Sequence, residues 1–139
     1  MSGAAVSAAA PLGKTLAVIL GAQAWPNMDG ALKPSDAFAL SSGGFKEYLQ
    51  EDAGLNLPNA CVKDLFDSAL SKDATDEEIA KFLQAHYKGD APDFDTLIIY
   101  YTGHADFTKG EQHFYLTFAL LRTGTSTFPA TRCGSLPRR

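Results

Sequence analysis

Two short, unbroken apolar runs constrain this chain more than any other feature: TLAVILGA at Thr15–Ala22 and TLIIYY within Asp95–Tyr101. Each is far below the roughly 18 residues that a membrane-spanning helix needs. Neither alternates polar with apolar, as a strand with one wet face would. Such runs, stopping abruptly at Gly21 and at Thr102-Gly103, suit strands buried on both faces, the pattern of a parallel sheet covered by helices. A chain of 139 residues with 45% hydrophobic content is long enough for one domain with a core of that kind.

The segments between and after the runs supply the remaining layers. AWPNMDGALKP reads as a loop, punctuated by Pro26, Gly30 and Pro34. Ser35 caps a helix starting at Asp36, with Phe38, Phe45, Tyr48 and Leu49 near one face. Gly43 and Gly44 inside it each cost about 1 kcal/mol against alanine. A second strand falls at Ala60–Phe66. The sequence Thr75-Asp76-Glu77-Glu78 forms a capping box opening a helix, EEIAKFLQAHYKG, that ends at Gly89. Its stripe is Ile79, Phe82, Leu83 and Tyr87; His86 lies beside the stripe and takes a structural role. QHFYLTF alternates, with Phe114, Leu116 and Phe118 inward and His113, Tyr115 and Thr117 outward, as a hairpin strand after the Lys109-Gly110 turn. The order β-α-β-α-β-β predicts an α/β fold, a three-layer sandwich around a mostly parallel sheet.

Charge divides the chain. Eight lysines against sixteen acids leave the segment up to Leu121 at −8, and the four arginines, all from Arg122 onward, bring the whole to −4. The tail LRTGTSTFPATRCGSLPRR has no acid, no lysine and no hydrophobic period. It reads either as a flexible basic tail or as polypeptide that is not the natural continuation of the domain, and we favour the second. The start, MSGAAVSAAAPLG, lacks the basic end and apolar centre of a signal peptide. The expected organisation is a disordered leader over 1–13, a domain over 14–118 and an irregular basic tail over 119–139, in a cytoplasmic protein with no membrane partner.

Several chemistries are excluded by motif. There is no G-x-S-x-G elbow, no G-x-x-x-x-G-K-[ST] loop and no G-x-G-x-x-G after the first strand. Cys61, Cys133 and the three histidines have no metal-ligand spacing, so neither a metal nor another cofactor is expected. No basic face with interleaved aromatics points to nucleic acid. What remains is His104, three residues past the end of an apolar strand. In open α/β sheets, sites gather there because the loops converge on one crevice. Gly103 allows a tight turn before it, and a neutral imidazole can serve as general base.

The residues at this point resemble a known family, the caspase-like cysteine peptidases of the bacterial, metacaspase-related type. KTLAVILGAQAWP resembles the family's first strand and loop, PSDAFALSSGGFKEYLQ its first helix and LPNACVKDLFD its second strand. DFDTLIIYYTGHADF resembles the third strand with the histidine loop, and EQHFYLTF the hairpin after it. The resemblance spans about residues 14–118, and its most specific element is the apolar strand followed by Tyr-Thr-Gly-His. It implies that His104 is the catalytic histidine, with Gly103 and Ala105 as the supporting loop. The family usually has glycine where this chain has Ala105. It also implies a nucleophilic cysteine at the end of a further parallel strand, about 50 residues past the histidine.

That cysteine is not identified here. The sequence ends 35 residues after His104, so the caspase-like sheet is expected to be incomplete on its C-terminal side. Cys133 follows His104 by 29 residues, but no apolar strand precedes it and prolines flank it, so it is disfavoured as the nucleophile, which stays unassigned. Cys61, at the start of the second strand, reads as a small buried hydrophobe. Two functions from different classes follow. One is a caspase-like endopeptidase using a Cys-His dyad on a peptide or protein substrate, represented by a piece that is inactive alone. The other is a non-catalytic module that binds a peptide or protein through the open edge of its sheet.

Overall fold

The computed structural model describes residues 13–26, 32–107 and 114–117, and the expected leader and tail, the Lys109-Gly110 turn and His113 lie outside them except for Gly13. In chain order the elements are β1 (Thr15–Gly21), α1 (Asp36–Gln50), β2 (Val62–Asp64), α2 (Lys72–Gln84), β3 (Tyr87–Lys88), β4 (Ala91–Pro92), β5 (Thr96–Thr102), β6 (Ala105–Phe107) and β7 (Phe114–Leu116). A single 3-10 turn, Asn59–Cys61, leads into β2. β2, β1 and β5 form a parallel sheet in that order, with Gly21 opposite Thr102 and Ile19 opposite Asp64.

β1 occupies the centre, which explains its unbroken apolar sequence. Successive side chains of a strand point to opposite faces. Ala17 and Ile19 pack with Leu49 and Phe45 of α1, while Val18 and Leu20 pack with Leu65 and with Ile79 and Phe82 of α2. Leu16, Ala17, Val18 and Ile19 are all fully buried. At about 1.5–3 kcal/mol for each large side chain buried, this strand is the chief hydrophobic anchor of the domain. With one helix on each face, the fold is the three-layer α/β sandwich that the two apolar runs predict.

β2 ties the layers together through consecutive residues. Lys63 reaches Glu78 of α2 at 2.8 Å, and Asp64 reaches Lys46 of α1 at 3.2 Å. The Lys63 ammonium, with help from Lys81, holds the Glu78 carboxyl below its ordinary value. β5 is less covered. Ile98 and Tyr100 pack on the α1 face, with Tyr100 stacked on Phe45 at 4.1 Å. On the α2 face Leu97 is 36% and Ile99 60% exposed, because α2 lies over β1 and β2.

The helices differ in detail from expectation. Ser35 caps α1 as anticipated, its side chain accepting from the Ala37 amide, and Leu49 is buried, but Tyr48 is exposed. Gly43 and Gly44 sit on the exposed side of α1, where a side chain would meet nothing. α2 begins one turn earlier than the Thr75 capping box implies. Ser71 is the cap, accepting from the Ala74 amide, and Thr75 is buried inside the helix, donating to the Ser71 carbonyl at 2.8 Å. A serine one turn upstream of a second capping residue caps an earlier set of free amides, so the helix lengthens by that turn. α2 also ends early, at Gln84. Gly89, at φ +62, turns the β3–β4 hairpin instead of closing the helix, and Tyr87 on that hairpin is exposed rather than buried. The hairpin β6–β7 is present, pairing Ala105 with Leu116.

Candidate active site

β1 and β5 are the neighbours between which the strand order reverses: the chain leaves β1 toward β2 and returns past it to β5. The loops leaving their carboxyl ends therefore diverge and leave a crevice, the usual location of a site in such sheets. Their close approach depends on Gly21. At φ +129, it brings its backbone so near the Thr102 carbonyl that a Cβ would collide with it. The loop after β1 is then fastened at two points. Gln23 accepts from the Ser35 amide and donates its own amide to the Asp67 carboxylate beyond β2, both at 2.9 Å.

This fastened loop carries Trp25, 3% exposed, while Phe38 comes from the first turn of α1. The two rings meet edge to face at 5.9 Å. His104, from the loop after β5, completes the cluster, 4.7 Å from Trp25 and 5.2 Å from Phe38. Its Nε2 lies 2.8 Å from the Lys33 carbonyl oxygen. A carbonyl can only accept, so Nε2 carries the hydrogen and Nδ1 of the neutral ring keeps its lone pair. The imidazole is thus held by a backbone oxygen on one nitrogen, with the other available to exchange a proton.

The backbone of His104 is fixed as firmly as its ring. Its carbonyl accepts from the Thr117 amide at 3.1 Å and the Thr117 hydroxyl at 2.7 Å. The Tyr101 hydroxyl lies 2.5 Å from the same oxygen and 2.8 Å from the Thr117 carbonyl. Burial holds the Tyr101 phenol above its ordinary pKa, against the lowering effect of its bonds to Thr117. The expected outward position of Thr117 is corrected here: it is 1% exposed, turned inward by these bonds where β7 ends. Gly103, at φ +158, packs so closely on Tyr101 that a Cβ would stand 2.7 Å from the hydroxyl oxygen.

Of the sequence-predicted site residues, His104 and Gly103 lie together at this crevice. Ala105 opens β6 in an extended conformation, exposed and without positive φ, so the local backbone does not demand glycine there. Cys133 lies outside the described residues. Cys61 is buried, 6% exposed, at the opposite end of the sheet. Its neighbour Val62 is level with Ala17 and hence with Ile98, six residues before His104, roughly 20 Å at the rise of a strand. Among the described residues no group of three or more His, Cys, Asp or Glu could hold a metal ion. No helix among them is long and apolar enough to cross a membrane.

Sequence reasoning missed Trp25, Phe38, Tyr101 and Thr117 as parts of this site. The one available signal was Trp25, the sole tryptophan, four residues past the end of the central strand. Comparison of the chain with protein-family models, with curated proteins and with solved structures finds no significant match.

Proposed function

We propose that this chain is part of a caspase-like cysteine endopeptidase domain in which His104 is the general acid–base of a Cys-His dyad. The observation that carries this reading is the place of His104: it stands at the carboxyl end of β5 beside the strand-order reversal, with its ring against buried Trp25 and its backbone held by Tyr101 and Thr117. The Nε2 bond to the Lys33 carbonyl leaves Nδ1 for proton transfer. In the reaction, a cysteine thiolate attacks the scissile carbonyl and His104, as imidazolium, gives its proton to the departing amine. The resulting thioester is hydrolysed by water, which His104 deprotonates in turn. This reading requires a cysteine at the end of a further parallel strand, alongside the edge of β5 that is unpaired among the described residues. We assign that role to neither Cys61 nor Cys133, and cleavage preference stays open.

The same edge supports a second reading, a peptide- or protein-binding module without catalysis. Among the described residues β5 pairs only with β1, and Ile99 beside the free edge is 60% exposed. Exposed strand edges recruit partner strands. The two readings separate on the gene beyond the codon for Phe118. The peptidase reading expects a helix and then an apolar strand ending in cysteine in one of the three frames. That product should hydrolyse peptide substrates and be labelled at that cysteine by a peptidyl electrophile. If no frame encodes such a strand, the peptidase reading is lost and the binding module stands.

A further inference from the structure

We propose that Trp25 is the positioning residue of His104, selecting the ring orientation and tautomer that leave Nδ1 free. The inference rests on His104 as the acid–base group of the reading above, but its test does not pass through catalysis. The three rings of Trp25, Phe38 and His104 close a triangle with sides of 4.7, 5.2 and 5.9 Å. A single hydrogen bond to the Lys33 carbonyl leaves an imidazole free to swing about that bond or to flip and exchange its nitrogens. A neighbouring ring that is itself immobile removes that freedom.

Trp25 meets the requirement better than Phe38. It is 3% exposed, whereas Phe38 is half-buried on the flank of α1. Its loop is fastened through Gln23 to Ser35 and to Asp67. The indole Nε1 is buried with no hydrogen-bond partner among the described residues. An unsatisfied buried donor is unfavourable, so a hydrogen bond from this nitrogen does not explain the tryptophan. The tilted ring contact with His104, 4.7 Å between centroids at 54°, does. Phenylalanine at this position would keep an aromatic face and forfeit no bond seen among the described residues.

The experiment is long-range proton–nitrogen spectroscopy of the histidine rings in the folded protein, with His86 as internal reference. The wild type should show His104 as a single Nε2–H tautomer, its two ring nitrogens widely separated in shift. Trp25→Leu should collapse that separation toward the tautomer-averaged position, with the His86 pattern unchanged, and Trp25→Phe should retain it. A folded Trp25→Leu protein with the wild-type His104 pattern overturns the proposal. If Trp25→Leu does not fold, cross-relaxation between the Trp25 and His104 ring protons in the wild type decides: their presence with a fixed tautomer supports the positioning role, and their absence overturns it. A fixed tautomer that depends on Trp25, in a protein shown not to cleave peptide when complete, would keep the positioning role and discard the peptidase reading.

Discussion

His86 and His104 have almost the same immediate surroundings. Each places Nε2 2.8 Å from a backbone carbonyl, Ala60 for His86 and Lys33 for His104, and each meets a phenylalanine edge to face at 5.2 Å and 73°. A carbonyl bond and an aromatic neighbour therefore do not by themselves mark a histidine for catalysis. The difference lies a layer further out. His86 follows the last turn of α2 and ties that helix to the 3-10 turn before β2. His104 stands at the carboxyl end of β5 beside the strand-order reversal, has the buried Trp25 as an additional neighbour, and has a backbone pinned by Tyr101 and Thr117. Investment in the position of a ring, rather than its first contacts, separates the two.

The largest expected effect on this contrast comes from Gly103→Ala. The added Cβ meets the Tyr101 hydroxyl at 2.7 Å, at a backbone angle that favours glycine. Backbone strain alone should cost about 1–3 kcal/mol, read in chemical denaturation, and the His104 ring signals should move while those of His86 stay. Removing the clashing hydroxyl in Gly103→Ala/Tyr101→Phe should recover part of the loss. Strictly additive effects of the two substitutions would show that this contact does not fix the loop.

His86→Ala should come next, at about 1–2 kcal/mol, the scale of one lost hydrogen bond with its packing, and should leave the His104 signals in place. A shift at His104 would join the two sites and break the comparison. The smallest effect concerns alkaline pH. Burial raises the folded-state pKa of Tyr101 above the ordinary value of 10.0. The stability it contributes is therefore full below that value and declines as pH rises through the folded pKa. Wild-type stability should fall more steeply above about pH 10 than that of Tyr101→Phe, and equal slopes would remove Tyr101 from the account.

The fold was legible where one physical signal dominated. The continuous apolar run around Val18 predicts a strand buried on both faces of a parallel sheet, as β1 is, and Ser35 is a cap with nothing upstream to compete. The run around Ile98 gives a strand of the same sheet but not the expected burial on both faces, because among the described residues β5 lies at the edge with Leu97 and Ile99 exposed. The end points of α2 were not legible, because Ser71 and Thr75 are both competent caps and only tertiary packing chooses between them. Gly89 suits a helix end and a hairpin turn equally, since both use positive φ. At the site, His104 was visible as the first polar side chain capable of acid–base chemistry after the strand. Trp25 and Thr117 were not, since their roles depend on contacts with residues 79 and 13 positions away. Alternation along QHFYLTF put Thr117 outside because it assumes that the strand continues, whereas β7 stops at Leu116.

The most direct test of the central claim, that His104 is an acid–base group and His86 is not, is a paired substitution in the gene product extended past Phe118. Peptide hydrolysis would be measured for His104→Ala and His86→Ala at a temperature where both are folded. The account predicts a loss of about 100-fold or more in kcat/KM for His104→Ala, with its melting temperature close to wild type, and no more than the effect of lowered stability for His86→Ala. Hydrolysis that survives His104→Ala, or falls equally in both variants, would contradict it.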